Sequence, residues 1–166
     1  LGLTHVLQID SDGQHDAERV AHFVEVSKKN PDAIICAYPE YDESAPKHRV
    51  NGRTIANAWI HTVTLSKQIK DGMIGFRIYP VAPYVKLLNS HAIIDARMGY
   101  DIDILVRLFW KNVPVICESV KVTYPVDGVS NFRLVRDNAR ISLTYARLFL
   151  GMIVRLPILI YRKIKG

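Results

Sequence analysis

A short apolar run from Thr4 to Ile9 is followed by an amphipathic stretch from Asp16 to Lys29 and a second apolar run from Ala33 to Ala37. This order constrains the fold more than any other feature of the chain. The two apolar runs are too short for buried helices and suit buried strands, while the middle segment carries helical periodicity. Asp16 is placed to cap that helix, Glu18 sits in its first turn, and Asn30-Pro31 stops it. A strand, a helix and a strand in succession predict a parallel unit in an α/β sheet.

The rest of the chain extends the pattern. Tyr38 to Asn51 is polar and of mixed charge, with Pro39 and Pro46, and reads as a long mobile loop. Thr54 to Gln68 reads as a helix with Ile55, Trp59, Ile60 and Val63 on one side. Gly75 to Tyr79 is a short strand or turn ended by Pro80. Asp101 to Trp110 is a helix with Ile104, Leu105 and Leu108 inward, and Pro114 to Tyr124 is a strand. After a loop over Pro125 to Ser130, one long helical pattern runs from Phe132 onward. Trp59 and Trp110, at helical spacing, read as core.

At 166 residues the chain is long enough for one sizeable core, and 49% apolar with 23% charged residues excludes disorder. The formal charge of +6 favours anionic partners. Cys36 and Cys117 lie in apolar runs with no C-x-x-C spacing, and read as buried free thiols. The chain opens LGLTHV, without Met, and runs straight into a strand. It reads as a fragment whose preceding residues are absent, so the lack of a signal peptide says nothing about targeting.

The first strand ends abruptly in Asp10-Ser11-Asp12-Gly13-Gln14-His15. In open α/β sheets, ligands bind beyond the carboxyl ends of strands. Two carboxylates one residue apart at such an end suit a hard divalent cation. Mg²⁺ or Mn²⁺ would keep positions open for phosphate oxygens, and Gln14 adds a neutral oxygen. Gly13 permits the sharp turn. Spacing alone leaves two other readings: an exposed acidic turn with Asp16 as a cap, or a calcium loop. In an EF-hand, however, the glycine follows three spaced oxygen ligands, unlike Gly13 here.

The run IDSDGQHD resembles the metal-binding D-x-D-G-Q segment of family 2 glycosyltransferases, and is especially similar to that of the dolichyl- and polyprenyl-phosphate glycosyltransferases. Three further stretches resemble that family's elements in the same order. GFRIYP (75–80) is similar to G-F-R-x-Y, and MGYDIDILVRLFWKNVPV (98–115) to the acidic helix and strand often written F-D-x-E-x-L. VSNFRLVRDN (129–138) is similar to a basic element of bacterial members, some of them fused to acyltransferases. The resemblance spans nearly the whole chain. It implies an α/β fold, a partial GT-A (Rossmann-like) mixed sheet flanked by helices. Residues 1–132 would form the C-terminal half of a catalytic domain, and residues 133–166 a basic amphipathic tail. The half that holds the nucleotide would lie upstream.

The resemblance also implies roles. Asp10, Asp12 and Gln14 hold Mg²⁺ or Mn²⁺ and, through it, the diphosphate of a nucleotide-diphosphate sugar. Asp101 matches the position of the catalytic base. Asp103 matches the family's Glu, with a shorter side chain. Both are expected in catalysis, although as plain residues Asp101 would cap the helix and Asp103 would favour its dipole. Arg77 borders the active site and contacts phosphate, or forms a structural ion pair. Ser130, Asn131 and Arg133 occupy the loop that serves the diphosphate. His15 reads as supporting or structural, and the other histidines show no ligand spacing.

On a helical wheel of residues 133–165, Arg133, Arg136, Arg140, Arg147, Arg155, Arg162 and Lys165 share an arc of roughly 100°. The remainder is largely apolar, and Pro157 is expected to kink the helix or start a second one. Arg155 interrupts an apolar run too short for a comfortable span of roughly 20 residues. The helix therefore reads as lying in the membrane interface, or as packed by its apolar side on the domain.

The expected function is inverting, metal-dependent transfer of a sugar from a nucleotide-diphosphate donor to a lipid-linked or membrane-proximal acceptor. The expected location is the cytoplasmic side, peripheral to the inner face of the membrane. The alternative is a non-catalytic module for membrane docking and acceptor binding. Nucleic acid is not an expected partner, because the basic stripe shares its helix with an apolar face and no aromatic-rich strand accompanies it.

Overall fold

A computed structural model of the protein describes residues 2–10, 18–41, 45, 47–122 and 133–165. The elements in order are β1 (His5–Gln8), α1 (Arg19–Lys29), β2 (Ile34–Tyr41), α2 (Lys47–Thr64), β3 (Arg77–Pro80), α3 (Val81–Leu88), α4 (Tyr100–Trp110), β4 (Val115–Val122) and α5 (Leu134–Lys165). The fold is α/β with a mixed sheet of order β1-β3-β2-β4. β2 and β4 are parallel, and β3 is antiparallel to both β1 and β2. The first strand–helix–strand unit therefore runs in one direction without direct pairing, because β3 inserts between its two strands.

β2 shows why the chain takes this form. Successive side chains of a strand point to opposite faces. Ile34 and Cys36 enter a large cluster with residues of α2, α4 and α5. Ile35 and Ala37 enter a smaller one with Phe23 of α1 and Phe76. The Phe23 and Phe76 rings stack at 4.3 Å. A strand covered on both faces reads as a continuous apolar run, which is the pattern of Ala33 to Ala37.

Several boundaries differ from the sequence reading. Tyr38 to Asn51 is not a loop throughout. β2 continues to Tyr41 because its parallel register with β4 persists to Tyr41 opposite Val122. α2 begins at Lys47 and ends at Thr64, where Leu65 adopts a φ of 52°. α1 begins at Arg19 with Glu18 at its N-cap position, and Asp16 lies outside the described residues. α3 had no counterpart in the sequence reading. Its segment VAPYVKLL is apolar almost all round, and periodicity cannot signal a helix of that kind.

α2 buries Ala56, Ile60 and Val63 and leaves Ile55 and Trp59 outside. Its apolar stripe is broader than the face the sheet and α4 accept. Trp110 is core as expected, donating Nε1–H to the Val63 carbonyl at 3.0 Å. Trp59 is instead 44% exposed. Cys36 is buried and free, and Cys117 is half-buried and free.

α5 runs unbroken through Pro157. Ile141, Tyr145, Leu148, Met152 and Leu159 form its inner face and join the main core. Tyr145 also donates its hydroxyl to the Ala56 carbonyl at 3.0 Å. Opposite lie Leu150 and Val154, 64% and 79% exposed. Leu148→Ala should cost about 2–5 kcal/mol of folding stability in urea unfolding. Leu150→Ala should stay within about 0.5 kcal/mol. Equal effects would contradict this orientation of α5.

Candidate functional site

β1 and β3 pair with Gln8 directly opposite Arg77. Opposed residues of an antiparallel pair project from the same face. Both side chains reach the first turn of α4. Gln8 donates an amide N–H to Asp101 Oδ1 at 2.6 Å. Arg77 Nη1 donates to the Asp101 carbonyl at 2.6 Å and to the Tyr79 hydroxyl at 3.1 Å. The same nitrogen lies 3.9 Å from Asp101 Oδ1.

Arg77 is wholly buried. Burial works to lower its pKa, but Tyr79, Cys36 and Asp101 outweigh it, so the guanidinium stays charged. Its Nε and Nη2 have no hydrogen-bond partner among the described residues. Arg77 thus sits beneath Asp101 rather than at the surface where a phosphate would lie.

Asp101 opens onto a cleft of about 620 Å³. Asp10, just beyond β1, lines the same cleft with Arg97, Arg133, Arg136 and Arg140. The carboxylate of Asp10 rests on Gly75, where an added Cβ would fall 2.2 Å from Oδ1. Only glycine leaves that space. On the opposite wall, the buried Asp137 accepts the Arg133 backbone N–H at 2.7 Å and fixes the first turn of α5. Helical spacing of three and four then places Arg133, Arg136 and Arg140 along one face.

Asp103 points elsewhere. Two residues along a helix are separated by about 200° of rotation, so Asp101 and Asp103 face opposite sides. Asp103 is fully buried and is not part of the cleft wall. It accepts from Arg107 Nε and, at 2.9 Å, from the Asp95 backbone N–H. Asp95 in turn accepts the Thr144 hydroxyl at 2.8 Å, and Arg147 lies 3.6 Å from Asp95 and 3.9 Å from Asp103. This network joins α4 to α5. The N-cap position of α4 is Gly99, which makes no side-chain cap bond, so capping is the role of neither aspartate.

Of the expected metal ligands, Asp10 is described, while Asp12 and Gln14 lie outside the described residues. Ser130 and Asn131 lie outside them too, as does His15. Among the described residues, no three His, Cys, Asp or Glu side chains gather as a metal site. Asp10 is a hard oxygen donor at the cleft wall, which fits one member of a Mg²⁺ or Mn²⁺ set.

The structure adds residues that sequence reasoning did not assign to the site. Gln8 carried a signal, as the one polar side chain in the run VLQI. Arg136 and Arg140 were grouped with the membrane-facing arc, yet they line the cleft. Arg97 and the packing role of Gly75 carried no signal. The chain matches no family model, and no curated protein matches it.

Burial pushes the Cys36 thiol up to about 12, and burial likewise pushes the Tyr79 hydroxyl up to about 12. Both groups lie beside Arg77 in the sheet. A folded-state pKa above the unfolded value stabilises the fold below the unfolded pKa and loses that stability as pH rises. The unfolded thiol ionises at about 8.5. The urea midpoint should therefore fall from about pH 8.5 toward about pH 12, with a shallower fall in Cys36→Ala. Parallel curves would show that the buried thiol is not responsible.

Proposed function

We propose that the protein belongs to an inverting, metal-dependent sugar transfer from a nucleotide-diphosphate donor to a membrane-proximal, lipid-linked acceptor. The observation that carries this reading is one cleft lined by Asp10, Asp101 and four arginines. Asp10, with Asp12 and Gln14, would hold Mg²⁺ or Mn²⁺. When bound, the cation stabilises negative charge on the departing nucleoside diphosphate. Arginine suits the remaining phosphate oxygens because its planar fork donates two parallel hydrogen bonds. Of the two arginines that the resemblance assigns to phosphate, Arg77 is buried and Arg133 is exposed at the cleft wall.

Asp101 is the group to accept a proton from an acceptor hydroxyl. Gln8 occupies its Oδ1, so Oδ2 would be the proton acceptor. An acceptor that is itself an ionised phosphate would need orientation more than a base. Asp103 acts through α4 as a positioning residue, and Arg77 acts through Asp101 in the same sense. The membrane-proximal part of the reading rests on α5, whose outer face is apolar and open. The location that goes with it is the cytoplasmic side, peripheral to the inner face of the membrane.

Calorimetry with Mn²⁺ or Mg²⁺, in the presence of UDP or GDP, tests the donor site. The chain should bind metal more tightly when nucleotide is present. Asp12→Ala should abolish that gain, and Gly75→Ala, which displaces the Asp10 carboxylate, should weaken it about tenfold or more. Binding that neither substitution changes would place the metal elsewhere. No binding by the unsubstituted chain would mean that the donor site needs the upstream half or that the acidic turn is structural, and the same titration on a chain extended upstream separates the two.

A further inference from the structure

Charge is segregated in this fold. α2 and α5 together hold ten Lys and Arg and a single Asp, Asp137, whereas the remainder of the chain holds twelve Lys and Arg against fifteen Asp and Glu. Of these ten, Arg136 and Arg140 line the cleft, Arg147 joins the Asp95 and Asp103 network, and Arg53 lies 3.4 Å from Asp71, whereas Arg155, Arg162, Lys163 and Lys165 stand beside the open apolar side chains of the second half of α5. The two helices are also where large apolar side chains lie open. Ile55 is 64% exposed and Trp59 44% exposed on α2. On α5, Phe149, Ile153, Val154 and Ile164 are exposed. Trp59 bridges the two helices, with ring centroids 6.1 Å from Tyr145 and 6.3 Å from Phe149. Ile55 lies one helical turn before it on the same side.

Apolar residues left open within a cationic surface suit one environment above others. An anionic lipid interface takes up both: apolar side chains enter the acyl boundary, and Lys and Arg stay at the headgroups. Tryptophan favours that boundary because its ring is apolar and its N–H is polar. A second copy of the chain would bring two cationic faces together. A nucleic acid would leave the open apolar side chains against water or phosphate. α5 is long and apolar enough to cross a membrane by length and composition alone. However, one face of it, Ile141, Tyr145, Leu148, Met152 and Leu159, packs on the domain, which sets the helix along the protein rather than across a bilayer.

We infer that α2 and α5 form one membrane-docking face for anionic lipid, with Trp59 as its aromatic anchor. The docking face thus extends beyond the basic helix α5 onto α2. The inference rests on the membrane-proximal part of the functional reading and is independent of the transfer chemistry.

Tryptophan fluorescence and flotation with phosphatidylglycerol-containing vesicles, against pure phosphatidylcholine vesicles, test it. The chain should float with the anionic vesicles. Its emission should shift to the blue and be quenched by lipids brominated along the acyl chain. Trp59→Phe should float but lose both optical changes, since Trp110 is already buried. Ile55→Glu, at an exposed position the fold tolerates, should weaken vesicle binding about tenfold without changing the melting curve. Flotation with no optical change would overturn the inference while leaving α5 as a membrane contact. No flotation would overturn both. Emission already blue-shifted before vesicles are added would show that protein covers Trp59.

Discussion

A charged guanidinium without solvent exposure lies at the centre of this structure. Arg77 sits on β3, the strand inserted between β1 and β2. Burying such a charge costs several kcal/mol unless hydrogen bonds and opposite charge offset the loss of water. Here the offset comes from the Asp101 backbone carbonyl, the Tyr79 hydroxyl and the nearby Asp101 carboxylate. The consequence is positional. α4 begins where Arg77 can reach its first turn, and Gln8, paired across the ladder, orients the Asp101 carboxylate. The sheet thereby dictates where the acidic wall of the cleft stands.

The opposite wall depends on α5, and a second buried charge network sets it. Asp103, Arg107, Asp95, Thr144 and Arg147 bind α4 to α5 from the side away from the cleft. At 32 residues, α5 is about 48 Å long. Its first turns supply Arg133, Arg136 and Arg140 to the cleft, and its middle packs on the core through Leu148 and Met152. Its outer side stays open beside Trp59. One helix thus joins the arginine-lined wall to the apolar face. Under the proposed function, a lipid-linked acceptor held at a membrane would meet the cleft in a fixed orientation.

Much of this was legible in the sequence where one physical signal dominated. The continuous apolar run of β2, the acidic end of β1 and the amphipathic pattern of α4 each named their element. The strand order was not legible, because nothing local in RIYP reveals that β3 inserts antiparallel between two strands of like direction. α3 was silent for lack of periodicity. In α2 the apolar residues were visible, but the half of a broad stripe that faces the core depends on α4 and α5. For the site, the carboxylates were readable as types. Helical spacing puts Asp101 and Asp103 on opposite sides, but which one faces the cleft was not readable, since that depends on Asp95 and Arg147 converging on Asp103 from other segments. The wheel grouped seven basic residues between Arg133 and Lys165, while the tertiary structure sends Arg133, Arg136 and Arg140 to the cleft, Arg147 to the Asp95 and Asp103 network, and Arg162 to the Trp110 carbonyl.

The central claim is that Asp10 and Asp101, ninety-one residues apart in sequence, line one cleft and, under the proposed function, share its metal ion. Carbon-13 NMR of aspartate-labelled protein, titrated with Mn²⁺ in the presence of UDP or GDP, tests it most directly, because paramagnetic broadening falls steeply with distance from the ion. The account predicts that the Asp10 and Asp101 carboxyl signals broaden first and together, ahead of the other described aspartates. A sharp Asp101 signal beside a broadened Asp10, or broadening that begins at aspartates outside the cleft, would contradict it.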